Sequence, residues 1–227
     1  MLFPGGAGDA EYKAKAEFIY KQAIEFNDEG TYFPLMGICL GFEYLNIFAS
    51  DAGDDILETL QSHHVSLDLK FTVDPAETVM FKGAGKTAKL YETAATSFQS
   101  HTYGVSPESY EKDEGLKNMF KLTSTCYDEE HDNTFACTME SEKYPFMGTQ
   151  FHPEKQIYQW NDGKDGAGLD HEWESIQLNR LFADTFVKEA REQSNKTGDY
   201  AQVQGMIIEN SAIFATSSYF GNVYMFK

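Results

Sequence analysis

The 227-residue sequence has no apolar run approaching the roughly 18 residues that a membrane-spanning helix needs. Its densest apolar stretch, Tyr32 to Leu45, is interrupted by Pro34, Gly37, Gly41 and Glu43, so hydropathy argues against a membrane protein. Positive charge is also scarce: 18 Lys and Arg stand against 36 Asp and Glu, a formal charge of −18. A phosphate backbone would repel such a surface, and nucleic acid is not expected as a partner. Cysteine is limited to Cys39, Cys126 and Cys137 without a C-x-x-C spacing, which disfavours both a disulfide-stapled scaffold and a structural zinc site. The first residues have neither the basic segment nor the apolar core of a signal peptide. No internal repeat or low-complexity tract is present.

What is there is ordinary for a folded domain. With 41% apolar, 15% aromatic and 24% charged residues, the chain can bury a sizeable core, and one domain over residues 1–227 is expected. Leu2-Phe3 running into Pro4-Gly5-Gly6 reads as the end of a buried strand and its loop, which predicts a chain starting partway into that domain. Apolar positions between Asp9 and Asn27 recur at helical spacing, with Asp9 as N-cap. Tyr32 to Ile38 is a short apolar strand and Leu40 to about Ala49 a second helix. This alternation predicts an α/β fold with a mostly parallel central sheet. Val65 to Val73 alternates with period two, as a half-exposed antiparallel strand at an extension of the sheet would. Further expectations are a helix over Glu114 to Lys121, a hairpin of Leu122–Tyr127 and Thr134–Met139, and a strand over Tyr144 to Phe151. A helix over Ser175 to Ala190 would bury Ile176, Leu178, Leu181, Phe182, Phe186 and Val187, and two closing strands would span Met206–Ala215 and Asn222–Phe226.

Gly37-Ile38-Cys39-Leu40-Gly41 falls at the junction of a buried strand and a helix, the arrangement of a nucleophile elbow with cysteine as the nucleophile. A strand turning sharply into a helix crowds the positions two before and two after the nucleophile, so both are glycine. The turn lifts the thiol over a helix N-terminus, which favours a thiolate. The alternative is a core thiol between two packing glycines. Downstream, Pro153 in Phe151-His152-Pro153-Glu154-Lys155 holds His152 extended, so that His152 and Glu154 point to the same side at the end of an apolar strand. Thiol, imidazole and carboxylate together make a catalytic triad.

Pro4-Gly5-Gly6, Gly37-Ile38-Cys39-Leu40-Gly41-Phe42-Glu43 and Phe151-His152-Pro153-Glu154-Lys155 resemble the signatures of the class I glutamine amidotransferase-like superfamily. Asn27 to Leu45 and Tyr144 to Trp160 resemble its gamma-glutamyl hydrolase family, and the likeness runs over nearly the whole chain. The resemblance implies a flavodoxin-like three-layer sandwich, here missing its first strands, since the family has a signal peptide and opening strands before its Pro-Gly-Gly loop. It implies Cys39 as nucleophile, His152 as general base and acid, and Glu154 as the group orienting the imidazole. The oxyanion hole would be the backbone N–H groups of Leu40 and Gly6. His101, followed by Tyr103, falls where the family has a histidine lining the substrate pocket, although a half-buried structural histidine fits the same sequence. No cofactor or metal is implied. The implied substrate is a folylpoly-γ-glutamate, the compartment lysosomal, vacuolar or extracellular, and the assembly a homodimer.

A free thiol with pKa near 8.5 is about one part in three thousand ionised at pH 5, so keeping it charged there takes up to roughly 5 kcal/mol. A helix terminus supplies at most about 2 kcal/mol. The remainder falls to the imidazolium of His152. The charge of −18 opposes a polyanionic substrate at neutral pH and less so near pH 5, which fits an acidic compartment.

Two other enzymatic and non-enzymatic readings share these residues. A glutaminase subunit uses the same Cys, His and Glu, but 73 residues follow Glu154, more than a plain glutaminase domain carries. A truncated, silent relative would keep the fold without the chemistry. Gly83-Ala84-Gly85-Lys86-Thr87 looks like part of a phosphate loop, but Met80 stands where that pattern needs glycine. His63, His64 and His131 lack partners at ligand spacing. Cys126 and Cys137 lie on opposite arms of the hairpin. A centred turn pairs Cys126 with Phe135, one diagonal step from Cys137, which leaves a disulfide open. Asn195-Lys196-Thr197 is a glycosylation sequon.

Overall fold

The computed structural model describes residues 1–160, 166–196, 198–215 and 222–225. Strand β1 (Leu2–Phe3) leads through the Pro4-Gly5-Gly6 loop into helix α1 (Ala10–Asp28). Asp9 caps α1 by accepting the Tyr12 N–H at 2.7 Å, and Ala16, Tyr20 and Ala23 form its buried side. Strand β2 (Leu35–Ile38) and helix α2 (Leu40–Ala49) follow, at the boundaries the apolar pattern predicts to within three residues.

Among the described residues eight strands precede the C-terminal region, and six of them make the central sheet. Besides β1 and β2 these are β4 (Lys70–Phe71), β6 (Lys121–Asp128), β7 (Asn133–Glu140) and β8 (Phe146–Thr149), in the order β1-β2-β8-β7-β6-β4. β1, β2 and β8 are parallel; β7, β6 and β4 then alternate, so that β1, β2, β8 and β6 all point one way. The sheet is mixed, with most of its strands in one direction, and its antiparallel part is the predicted hairpin together with the edge strand β4.

Successive residues of a strand face opposite sides, and here both sides are covered. Leu35, Ala136 and Phe146 pack into a core with α1 and α2. Their neighbours Met36, Cys137 and Met147 pack into a second core with Phe81 and Tyr91 and with Phe182 of helix α6 (Trp173–Glu192). Helical layer, sheet and helical layer make the three-layer sandwich. Each core side chain of this size contributes roughly 1.5–3 kcal/mol through burial.

Several boundaries differ from the sequence pattern. The period-two stretch Val65–Val73 is divided: Val65 to Leu67 end β3 (Glu58–Leu67), which pairs with β5 (Ser97–Gly104) in a separate two-stranded sheet, whereas Lys70–Phe71 is β4 at the edge of the main sheet. Leu69, fully buried and bonded to the Tyr91 carbonyl through its N–H, anchors the turn between them. The helix expected to Lys121 is α4 (Glu114–Met119), which follows the one-turn α3 (Pro107–Lys112); Lys121 already pairs with Glu140. In α6 the buried row is Ser175, Leu178, Asn179, Phe182, Thr185 and Glu189, and Val187 is 44% exposed. Polar members of that row have partners across the layer: Asn179 donates to the Thr96 carbonyl, and Glu189 accepts from the Tyr32 hydroxyl. These hydrogen bonds offset part of the cost of burying them.

Among the described residues of the C-terminus, Met206 and Ile208–Asn210 lie in 3₁₀ turns, and only Ile213–Ala215 (β9) and Asn222–Tyr224 (β10) pair as strands. Phe226 and the sequon residue Thr197 lie outside the described residues. Cys126 pairs with Phe135 as the centred turn requires, and a bulge at Cys137 lets the two cysteines join in a disulfide with their Cα atoms 5.6 Å apart. Cys39 is a free thiol.

Candidate active site

The parallel pairing of β2 with β8 sets Ile38 beside Thr149, so the chain segments leaving the two strands emerge next to each other at the carboxyl edge of the sheet. Cys39 leaves one strand and His152 follows the other. Cys39 has φ 51° and ψ −110°, a left-handed conformation that a non-glycine residue adopts at a cost of about 1–3 kcal/mol. Its N–H donates to the Thr149 carbonyl at 2.8 Å, and its carbonyl accepts the Glu43 N–H at 2.9 Å as α2 begins. The two elbow glycines are required by contact. A Cβ on Gly37 would stand 2.6 Å from the Gly41 carbonyl oxygen, and one on Gly41 only 2.0 Å from that of Phe3.

His152 and Glu154 meet, though not by the extended geometry expected from Pro153. β8 ends at Thr149, and Glu154 has helical torsions, φ −75° and ψ −26°, at the start of the short helix α5 (Lys155–Tyr158). This turn, closed by Lys155 N–H on the His152 carbonyl at 3.3 Å, folds the carboxylate back onto the ring. Glu154 Oε1 lies 2.7 Å from His152 Nδ1. The carboxylate can only accept here, so Nδ1 carries the proton and Nε2 is left as the basic nitrogen. His152 is 7% exposed, and its N–H is held by the Phe98 carbonyl at 3.0 Å.

Gly5 stands between thiol and imidazole. A Cβ on it would be 2.8 Å from His152 Cε1 and 3.2 Å from Cys39 Cβ, so the β1 loop touches both side chains and leaves no room for a larger residue. Gly6 follows at φ +143°, a value that favours glycine. The predicted members Cys39, His152, Glu154 and the Pro4-Gly5-Gly6 loop are thus assembled. The Leu40 N–H is directed at the Cys39 sulfur, where it lowers the thiol's pKa.

That donor does not dominate. Burial first, then the Glu43 carboxylate, push the Cys39 thiol up to about 12; the Leu40 N–H opposes them, Glu154 adds a smaller upward push, and the Lys155 ammonium a still smaller downward one. The resting thiol is therefore neutral, contrary to the expectation that a helix N-terminus would favour the thiolate. Desolvation of a buried anion outweighs one terminal dipole.

Glu43 is the residue that motif reading missed. It is one helical turn beyond Cys39, 6% exposed, and accepts a hydrogen bond from Gln150 Nε2 at 3.1 Å. Burial raises its carboxyl from the usual 4.5 to about 7, with Gln150 pulling the other way. The sequence signal was the apolar row around it, in which a carboxylate must be buried.

His101 lies on β5, 4% exposed and edge-on to Phe135. Its Nδ1 bonds the Tyr103 carbonyl at 2.8 Å and its Nε2 is 3.2 Å from Gln99 Oε1. Burial depresses its pKa to about 4, with the nearby His63 and His152 adding to the effect. It is electrostatically coupled to the triad yet internally bonded, whereas Tyr103 is 50% exposed. Gly83 to Thr87 lie in a 3₁₀ segment, Lys82–Glu92. Among the described residues no group of three or more His, Cys, Asp or Glu side chains is arranged to hold a metal ion.

A family model described as glutamine amidotransferase class-I matches residues 1–162. Gamma-glutamyl hydrolase 2 of Arabidopsis thaliana is 32% identical over 198 residues, covering 86% of this chain and 55% of that protein. Gamma-glutamyl hydrolase of Homo sapiens is 31% identical over 233 residues, covering 100% of this chain and 69% of that protein. The mouse protein of the same name is 30% identical, with 100% and 71% covered. The chain thus spans little more than half the length of the Arabidopsis relative.

Proposed function

This chain belongs to the class-I glutamine amidotransferase family and, within it, to the gamma-glutamyl hydrolases, and from that membership we propose that it hydrolyses γ-glutamyl bonds of folylpoly-γ-glutamates through a Cys39 thioester. The observation that carries this reading is the meeting of three separate segments. The elbow thiol, the His152–Glu154 pair at 2.7 Å and the Gly5 backbone between them form one site.

In the proposed reaction His152 Nε2 takes the proton of Cys39 as sulfur attacks the γ-carbonyl carbon. The thiolate thus exists as an ion pair with the imidazolium, and Glu154 stabilises the charge at Nδ1. The oxyanion of the tetrahedral intermediate would accept the N–H groups of Leu40 and Gly6, an arrangement typically worth about 3–4 kcal/mol per donor. Collapse breaks the C–N bond, and His152 gives its proton to the departing glutamate amine. Water, deprotonated by His152, then attacks the thioester; the folate-bearing acid leaves and the thiol is restored.

An acidic compartment accords with the chain's charge of −18, since protonation weakens its repulsion of a polyanion. The reading is tested by incubating the protein with a folate pentaglutamate and, separately, with glutamine at pH 5 and 7. Shorter folates are expected from the first and no ammonia from the second. Cys39→Ala should abolish turnover, and His152→Ala should come close to doing so. Ammonia release from glutamine alone would favour a glutaminase.

A further inference from the structure

Lys155 begins α5 directly after Glu154. Its ammonium stands over the Phe98 ring, 5.2 Å from the centroid. Phe98 is also the residue whose carbonyl holds the His152 N–H, and Lys155 itself closes the turn on the His152 carbonyl. Two backbone hydrogen bonds therefore set the Lys155 backbone beside the triad, and the cation–π contact with Phe98 holds its half-buried side chain there. Its field reaches the nucleophile: Lys155 is among the groups that lower the Cys39 pKa.

The scissile carbonyl of a γ-glutamyl substrate lies three carbons from a free α-carboxylate on the same glutamyl residue. A chain of charge −18 repels that carboxylate unless a cation is set locally. We infer that Lys155 is a specificity-determining residue, whose ammonium binds the α-carboxylate of the glutamyl residue that donates the γ-carbonyl and so places the carbonyl carbon over Cys39. The inference rests on the proposed γ-glutamyl hydrolysis and adds the group that reads the substrate's charge. Partial burial strengthens the pairing, and the contact with Phe98 limits the side-chain entropy lost in making it.

The test uses Lys155→Met, which keeps the apolar stem, and Lys155→Arg, which keeps the charge. Each is assayed with a γ-glutamyl substrate bearing a free α-carboxylate and with its α-carboxamide counterpart. A charge-assisted hydrogen bond is worth about 1.5–3 kcal/mol, so Lys155→Met should raise KM for the carboxylate substrate roughly 10- to 100-fold. Its effect on KM for the carboxamide should be at least tenfold smaller, and Lys155→Arg should restore most of the loss. Equal losses on both substrates, together with a shifted pH profile for alkylation of Cys39, would show that Lys155 acts through the thiol and overturn the inference. Calorimetric binding of tri-γ-glutamate, with and without Lys155→Met in a Cys39→Ala background, separates this inference from the reading it rests on. Binding that depends on Lys155, combined with no turnover of γ-glutamyl substrates by the protein that keeps Cys39, refutes the hydrolase alone. Binding that is unchanged by the substitution refutes the inference alone, and no binding at all refutes both.

Discussion

At the scale of single residues, the site is a buried thiol whose ionisation depends on what surrounds it. Glu43 is protonated up to about pH 7. Above that it becomes a second buried anion close to Cys39, and a negative neighbour disfavours the thiolate. The rate constant kcat/KM is therefore expected to fall as pH rises through about 7, and Glu43→Gln should carry activity further into the alkaline range. A pH–rate profile with the same alkaline limb in both proteins would assign that limb to another group. The sequence shows Cys39, His152 and Glu154 because glycine spacing and Pro153 leave marks on the chain. It does not show that Glu43 is buried beside Gln150, 107 residues away, since only the packing of β8 against α2 brings them together.

At the scale of elements, the strand-to-helix elbow and the β1 loop make separable demands. Gly41→Ala drives a Cβ into the Phe3 carbonyl, a backbone atom that cannot yield. A loss of about 3 kcal/mol or more in urea unfolding is expected, of the size produced by overpacking a core. Gly5→Ala meets a side chain instead, the His152 ring. That variant should fold with a near-normal melting temperature and lose most of its activity, as circular dichroism and a turnover assay on the same sample would show. The Cys126–Cys137 disulfide closes a loop of sequence separation 11 within the hairpin. Chain-entropy arguments value such a closure at about 3 kcal/mol, so Cys126→Ser with Cys137→Ser should lower the unfolding free energy by about that much. Helices were legible here because period and caps are local, as at Asp9 in α1. Strand limits were not, because β3, β4 and the C-terminal turns are set by which partner strand is available, as when Leu69 docks on Tyr91 between β3 and β4.

At the scale of the whole molecule, buried titratable groups couple stability to pH in opposite directions. Glu43 keeps its proton up to about 7 when folded and only to about 4.5 when unfolded, so the folded state holds the extra proton between those values. Its contribution to stability falls as pH rises through that window. His101 holds its proton to 6.5 when unfolded and only to about 4 when folded, so its contribution falls as pH drops through that range. Each is worth about 3 kcal/mol over its window. The two slopes nearly cancel between them. Melting temperature should rise with pH from 4 to 6.5 in Glu43→Gln relative to the parent protein, and fall with pH from 4.5 to 7 in His101→Gln. Parallel curves for all three proteins would contradict the assignment. The α/β class and its largely parallel sheet were legible from the alternation of apolar strand and amphipathic helix, and the three-layer arrangement from the family resemblance. The mixed order of the sheet was not, because pairing across it is decided by contacts remote in sequence.

The central claim is that Cys39 carries an acyl group taken from a γ-glutamyl bond. Acid-quenched samples of the protein with a folate pentaglutamate at pH 5, digested and weighed by mass spectrometry, test it most directly. The account predicts that the peptide containing Cys39 gains the mass of a folate-bearing acyl group, transiently, and that Cys39→Ala shows no adduct. Turnover of the substrate with no adduct on Cys39, or with full activity retained in Cys39→Ala, would contradict it.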